Sequence, residues 1–463
     1  MLKKIKEKFK IGIKKVIDSL KKIKTWKYEK IVLAFLIPIG LLYIFLMLPS
    51  QVPDERSHIL RAYEISEGVL IGRKDSKAIV PKDFLTKLRP NMESYTQFTE
   101  NIIGKTDYDD RIEIEDSAAT NSFILYSFSS IGFLIARIFG FNIIIGCMLA
   151  KIMNFLIFCI GTYYALKKLP FGKYVFTAII FMPMFLHQAT SVSADSIINT
   201  MIMFFIAYVL NLYFKKERIT KNDSIVLVIL SCLIGISKYV YTPIVFISTI
   251  MIWSKNIEKK QKIITLSLMF LLPILLAFGY YLFTSSYETV FNDYFTTNNV
   301  DSSEQIKYIM NNPFEYVKTV ANTLKTTSTT YINQMVGGIL GWLCIYVPKF
   351  VVGIYLLVLL ASCFIEENKF EFNFKQKAWG FLISGGIVLL IMTGMYITWT
   401  GVGSDVIQGV QGRYFIPILF LALLCLCKKD NYIKIKNIQY KLPIILCWLN
   451  LPVLYTIYQF FNK

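Results

Sequence analysis

The stretch Pro53-Asp54-Glu55-Arg56-Ser57-His58 sets two adjacent carboxylates, an arginine and one of the chain's two histidines within six residues, and Arg61 follows three positions on. A carboxylate placed like this can take a proton from an attacking hydroxyl, or share a divalent ion with its neighbour. His58 comes four residues after Asp54, one helical turn on, so the two share a face. The stretch also suits a helix start, with acids at the positive end of the dipole. Both roles stay open, because a capped start holds a carboxylate in one geometry.

Four further groups have chemistry to offer. His187 and Asp195 bound a polar turn, and Ser193-Ala-Asp195 reads either as a helix cap or as a second acid. Lys238, in Ser237-Lys238-Tyr239, is either a snorkelling lysine or a cation held for a phosphate. In Gln408-Gly-Val-Gln411-Gly412-Arg413-Tyr414 the guanidinium offers a fork that grips phosphate in two places, and Gly409 and Gly412 would let backbone approach a ligand. Two histidines exclude a histidine-rich metal site. The cofactor reading is therefore either none, or an oxygen-rich Mg²⁺ or Mn²⁺ site on Asp54, Glu55 and Asp195. None of the eight cysteines shows C-x-x-C spacing, so neither a zinc cluster nor a disulfide framework is indicated.

The elements that must position these groups are membrane helices. The 463 residues are 55% hydrophobic and 15% aromatic, and apolar runs of roughly 18 or more recur, each enough to cross about 30 Å of hydrocarbon. This implies an all-α, polytopic transmembrane fold of about 11–12 spans, since helices satisfy their own backbone in lipid. Twelve lysines against three acids in residues 1–30 make a basic arm, so the N-terminus is expected in the cytoplasm. Much of the net charge of +19 belongs to this arm and to short lysine-rich turns, which suits anionic lipid and not nucleic acid.

Alternating lysine-rich and lysine-poor loops then yields eleven crossings. Residues 31–283 form an N-terminal membrane module whose external loop, 51–121, carries fourteen acids against ten bases. Residues 122–140 read as interfacial or re-entrant, and 224–253 as a hairpin of two short helices with Lys238 at its apex. A second external loop, 284–346, has helix-like stretches around 304–325, and 347–463 hold the C-terminal helices. This topology brings every candidate residue to one face. An acid, cations for a phosphate and a cavity beside lipid suit sugar transfer from a polyprenyl-phosphate donor, in which the leaving phosphate is already acidic. The alternative is a transporter or flippase for a lipid-linked glycan, which would place charges along a path near the midplane.

Pro53-Asp54-Glu55-x-x-His58-x-x-Arg61-Ala62, Ser191-Val-Ser-Ala-Asp195, the Lys238-Tyr apex and Gly409-Val-Gln411-Gly412-Arg413-Tyr414-Phe415-x-Pro417 together resemble a bacterial multi-pass family. That family comprises predicted membrane proteins with a domain of unknown function, grouped with the GT-C glycosyltransferase superfamily, and the resemblance covers roughly residues 31–460. It implies a GT-C-like fold in the bacterial plasma membrane, with the site facing outside. It also implies Asp54 or Glu55 as catalytic base, Asp195 as a second acid, and Lys238 and Arg413 as the cations that hold the donor phosphate. His58, Arg56, Arg61, His187, Gln411 and Tyr414 would complete substrate binding. The implied partners are a polyprenyl-phosphate sugar and a cell-surface glycan or cell-wall polymer acceptor.

Overall fold

The computed structural model describes residues 25–462 apart from 89–93, 216, 254–255, 289, 366–368 and 430–432, so most of the expected basic arm lies outside the described residues. The chain begins with α1 (Tyr28–Leu46) and α2 (Glu55–Ser66). An antiparallel ribbon, β1 (Lys77–Pro81) with β2 (Arg111–Glu115), then pairs Lys77 with Glu115 and Pro81 with Arg111. Helices α3 (Ser129–Ile138), α4 (Ile143–Lys168), α5 (Lys173–Ile180), α6 (Pro183–Ala189), α7 (Ala194–Phe214) and α8 (Lys221–Ser237) follow. After a 3₁₀ helix, Tyr239–Trp253, come α9 (Lys259–Thr284), α10 (Ser302–Asn311), α11 (Pro313–Val336) and a two-residue ribbon, β3 (Ile339–Leu340) with β4 (Ile345–Tyr346). Helices α12 (Lys349–Ile365), α13 (Phe374–Trp399), α14 (Ile416–Leu424) and α15 (Ile438–Phe461) complete the chain.

Six of these, α1, α4, α7, α9, α13 and α15, are long and apolar enough to cross a membrane. The fold is that of an all-α polytopic membrane protein. The other five of the eleven expected crossings fall on shorter or broken segments. Helix α3, at ten residues, reaches only about 15 Å, which agrees with an interfacial or re-entrant 122–140. The segment expected over 174–187 is α5 and α6, interrupted ahead of Pro183, whose missing N–H ends the first helix. Asn450 of α15 donates to the Phe181 carbonyl exposed by that break, at 3.0 Å, and accepts from the Tyr43 hydroxyl at 2.7 Å. A buried break thus keeps its polar groups paired.

The expected hairpin of two short helices is one α-helix and one 3₁₀ helix. Val240, Thr242, Ile244, Val245, Ile247, Thr249, Ile250 and Ile252 are β-branched and Pro243 lacks an amide hydrogen, so α geometry is disfavoured there. A 3₁₀ helix rises about 2.0 Å per residue, so fifteen residues reach about 30 Å, the thickness of the hydrocarbon core. With three residues per turn its side chains stand in straight rows. Tyr241, Ile244, Ile247 and Ile250 form one such row, and all four are buried.

Close crossings depend on small residues. A Cβ on Gly132 of α3 would come 2.2 Å from the Ala150 nitrogen of α4, and one on Gly235 of α8 would come 2.8 Å from Pro273 of α9. Gly132→Ala is expected to lower the thermal midpoint in detergent, at a cost of about 1–3 kcal/mol for forcing the two backbones apart. An unchanged midpoint would show that α3 and α4 do not cross this tightly.

Candidate functional site

Asp54 and Glu55 are adjacent but face different surroundings. Asp54 sits at the N-cap of α2 with φ +63°, a left-handed conformation uncommon for a residue with a Cβ, and its side chain is half exposed. Glu55 is fully buried. Its carboxylate accepts from the Val192 amide at 3.0 Å and lies 3.6 Å from the Lys151 ammonium, which is also fully buried and donates to the Met47 carbonyl at 2.9 Å. Lys151 lies well inside α4 and not at its end. Glu55 thereby ties the start of α2 to α4 and to the turn before α7. Asn154 holds the same turn, donating to the Ser191 carbonyl at 2.7 Å.

Arg413, from a short 3₁₀ turn at Gly412–Phe415, occupies the centre of the site and is almost wholly buried. One guanidinium nitrogen bonds Asp54. Another lies 3.3 Å from Asp195, and Nε donates to Gln411 at 2.8 Å. Asp195, in the first turn of α7, also receives the Lys238 ammonium at 2.5 Å. Ser193 caps that turn by accepting from the Asp195 amide. Two carboxylates and two cations therefore form one row, Asp54–Arg413–Asp195–Lys238, assembled from four separate parts of the chain. Lys238 is partly exposed, so the row is open to solvent at both ends.

The remaining candidates divide. Asn121 donates to the Tyr126 hydroxyl at 2.8 Å, and that hydroxyl shares a hydrogen bond of 2.7 Å with His58 Nδ1. Burial lowers the His58 pKa to about 4, against the opposing pull of Asp54 and Asp195. The Tyr414 ring lies 5.3 Å from the Arg413 guanidinium carbon, and the Tyr414 carbonyl accepts from Tyr241. Arg61 points elsewhere: it bonds Glu64 at 3.2 Å and the carbonyls of Val69 and Leu70, tying down the chain that follows α2. His187 accepts from the Gly341 amide at 3.2 Å and so holds the β3–β4 turn. Arg56 is half buried and makes no ion pair among the described residues. The three carboxylates considered for a metal do not converge: Glu55 is turned to Lys151, and Asp195 lies between two cations. Among the described residues no three His, Cys, Asp or Glu side chains gather as metal ligands.

Gly409 and Gly412 allow close approach to protein and not to a ligand. A Cβ on Gly412 would meet the Tyr331 carbonyl of α11 at 2.1 Å, and one on Gly409, where φ is +76°, would meet the Trp399 ring at 2.2 Å. The Gly412 amide donates to Gln334 of α11, a partner with no signal in the local sequence. Beside Lys238 and Tyr414 opens a cavity of about 500 Å³ whose polar wall includes Asn121, Tyr280 and Thr284.

These features define a multi-pass helical membrane protein with one charged site at a single end of its helices. A family model described as predicted membrane protein, DUF2142, matches residues 37–422, and the chain belongs to that family. No curated protein and no solved structure matches the chain.

Lys151→Met should lower stability by about 3–5 kcal/mol, because it strands a buried carboxylate. Adding Glu55→Gln should recover much of the loss in chemical denaturation, since the amide oxygen still accepts from Val192. His58 binds its proton more weakly folded than unfolded, so its contribution is present above pH 6.5 and lost as pH falls toward 4. Asp116, raised by burial to about 7, has the opposite sign in an overlapping range, so the test is a difference. The fall in denaturation midpoint between pH 7 and 4.5 should be smaller in His58→Gln than in wild type, and an equal fall would contradict this.

Proposed function

We propose that this protein is a GT-C-type glycosyltransferase of the bacterial plasma membrane. It would move a sugar from a polyprenyl-phosphate donor to a cell-surface glycan or cell-wall polymer on the outer face. The observation that carries the proposal is the row Asp54–Arg413–Asp195–Lys238, whose Lys238 end lines the 500 Å³ cavity. Asp54, in the row, is the exposed one of the two adjacent carboxylates and Glu55, turned to Lys151, the buried one, so Asp54 is the base and Glu55 positions it.

The acceptor hydroxyl oxygen attacks the anomeric carbon while Asp54 takes its proton. The bond from that carbon to the phosphate oxygen breaks, and its electron pair leaves with the polyprenyl phosphate, inverting the configuration. Arg413 and Lys238 stabilise the charge developing on the phosphate. No protein acid is needed, because the leaving group is already a weak base. With no phosphate bound, Arg413 is neutralised by Asp54 and Asp195. An incoming phosphate competes for that guanidinium and loosens its hold on Asp54, which makes the base available when a donor is present.

The test is transfer by the purified protein in lipid, with radiolabelled undecaprenyl-phosphate sugars and cell-wall acceptors. Asp54→Asn is expected to lower turnover by about 10²–10⁴-fold with donor affinity largely kept, the range for loss of a general base. Arg413→Lys is expected to raise the donor KM. Transfer undiminished in Asp54→Asn would remove Asp54 as base. Movement of a lipid-linked glycan across sealed vesicles with no glycosyl product would replace the transferase with a transporter.

A further inference from the structure

Beyond the ion row, the 500 Å³ cavity continues into a second one of about 580 Å³. The two share Tyr239, Val240, Ala277, Tyr281, Leu390 and Gly394 among their walls, so they form one groove between the 3₁₀ helix, α9 and α13. Its character changes along its length. The first part holds Lys238, Asn121 and several hydroxyls; the second is lined by Pro243, Phe246, Met269, Phe270 and Ile274. The straight row Val240–Pro243–Phe246 runs along this wall, spaced three residues apart as a 3₁₀ helix dictates. Helix α9 is scarcely buried, with Ile274, Leu275 and Phe278 all exposed, so the apolar end opens sideways toward lipid.

We propose that this groove is a slot for one isoprenoid chain, entered sideways from the bilayer, with the chain's phosphate at the Lys238 end. It rests on the lipid-phosphate reading of the ion row for the head, and on the groove's shape for the chain. A single slot that begins at a cation and ends apolar matches a lipid with one chain and one anionic head. A two-chain phospholipid would have to leave one chain outside. Gly394 is the gauge of the slot: it belongs to both cavities, and a Cβ there meets nothing within 4 Å. A larger side chain at 394 therefore grows into the slot and not into protein.

The experiment uses the full chain in nanodiscs and a diazirine-tagged isoprenyl monophosphate carrying no sugar, with labelled peptides read by mass spectrometry. Label is expected on residues 239–246 and on α13. Gly394→Phe should lower the yield by about tenfold or more, at an unchanged thermal midpoint. Ala277→Phe, filling the slot from the opposite wall, should do the same and serves should the first variant fold poorly. Excess unlabelled isoprenyl phosphate should compete, whereas excess phosphatidylglycerol should not. Wild-type labelling in a folded Gly394→Phe protein would overturn the proposal. Equal competition by phosphatidylglycerol would also overturn it, leaving ordinary bilayer lipid as the occupant. Because the probe carries no sugar, slot labelling without glycosyl transfer would leave the slot standing and sink the transferase reading alone.

Discussion

Glu55 and Lys151 meet where neither touches solvent, and a charge in that position persists only beside its opposite. Their contact constrains far more than two side chains. Lys151 is fixed in a long membrane helix, and Glu55 begins α2 and accepts from Val192 just before α7. Three elements from distant parts of the chain therefore share one point of attachment. Asp54 precedes that point by a single residue and has almost no freedom left. Its left-handed backbone is the turn by which the chain leaves α1 and enters α2 with Glu55 facing inward.

The charged row beside it follows a different logic. Asp54, Arg413, Asp195 and Lys238 balance in sign, and the guanidinium fork is what allows one cation to serve two carboxylates on separate elements. A lysine at 413 could satisfy one acid but would not bridge both in a plane. The glycine at 412 is equally particular, since it brings the arginine's own turn against the backbone of α11. The site is thus built from contacts between residues 43 to 359 positions apart, on supports that are themselves close-packed.

Some of this was legible in the sequence. Lysine-rich turns alternating with polar ones bring Asp54, Asp195, Lys238 and Arg413 to one end, and the structure joins those four into a row. The residue types also distinguish the long spans, because a run of apolar residues has few alternatives in lipid. What was not legible depends on pairing at a distance. Nothing near Lys151 names Glu55 as its partner, although a lone lysine inside an apolar run does call for one. Gly409 and Gly412 look the same in sequence whether they face a ligand or a tryptophan. Arg61 and His187 are as suggestive by type as their neighbours, yet Arg61 bonds the loop just after its own helix and His187 the distant β3–β4 turn. The β1–β2 ribbon was hard to read because its strands lie about thirty residues apart and only β2, Arg111–Glu115, alternates strictly.

The 3₁₀ segment shows no period of its own in the sequence, because Tyr239–Trp253 is apolar at nearly every position and no polar row marks a repeat of three or of 3.6. The difference between those two periods matters for how this stretch can change over generations. Each residue of a 3₁₀ helix turns the chain through about 120°, one full row. Inserting or deleting a single residue near Lys238 would move the buried row Tyr241–Ile244–Ile247–Ile250 bodily onto a neighbouring face. The segment can accept exchanges of one branched apolar residue for another, but changes of length only in threes.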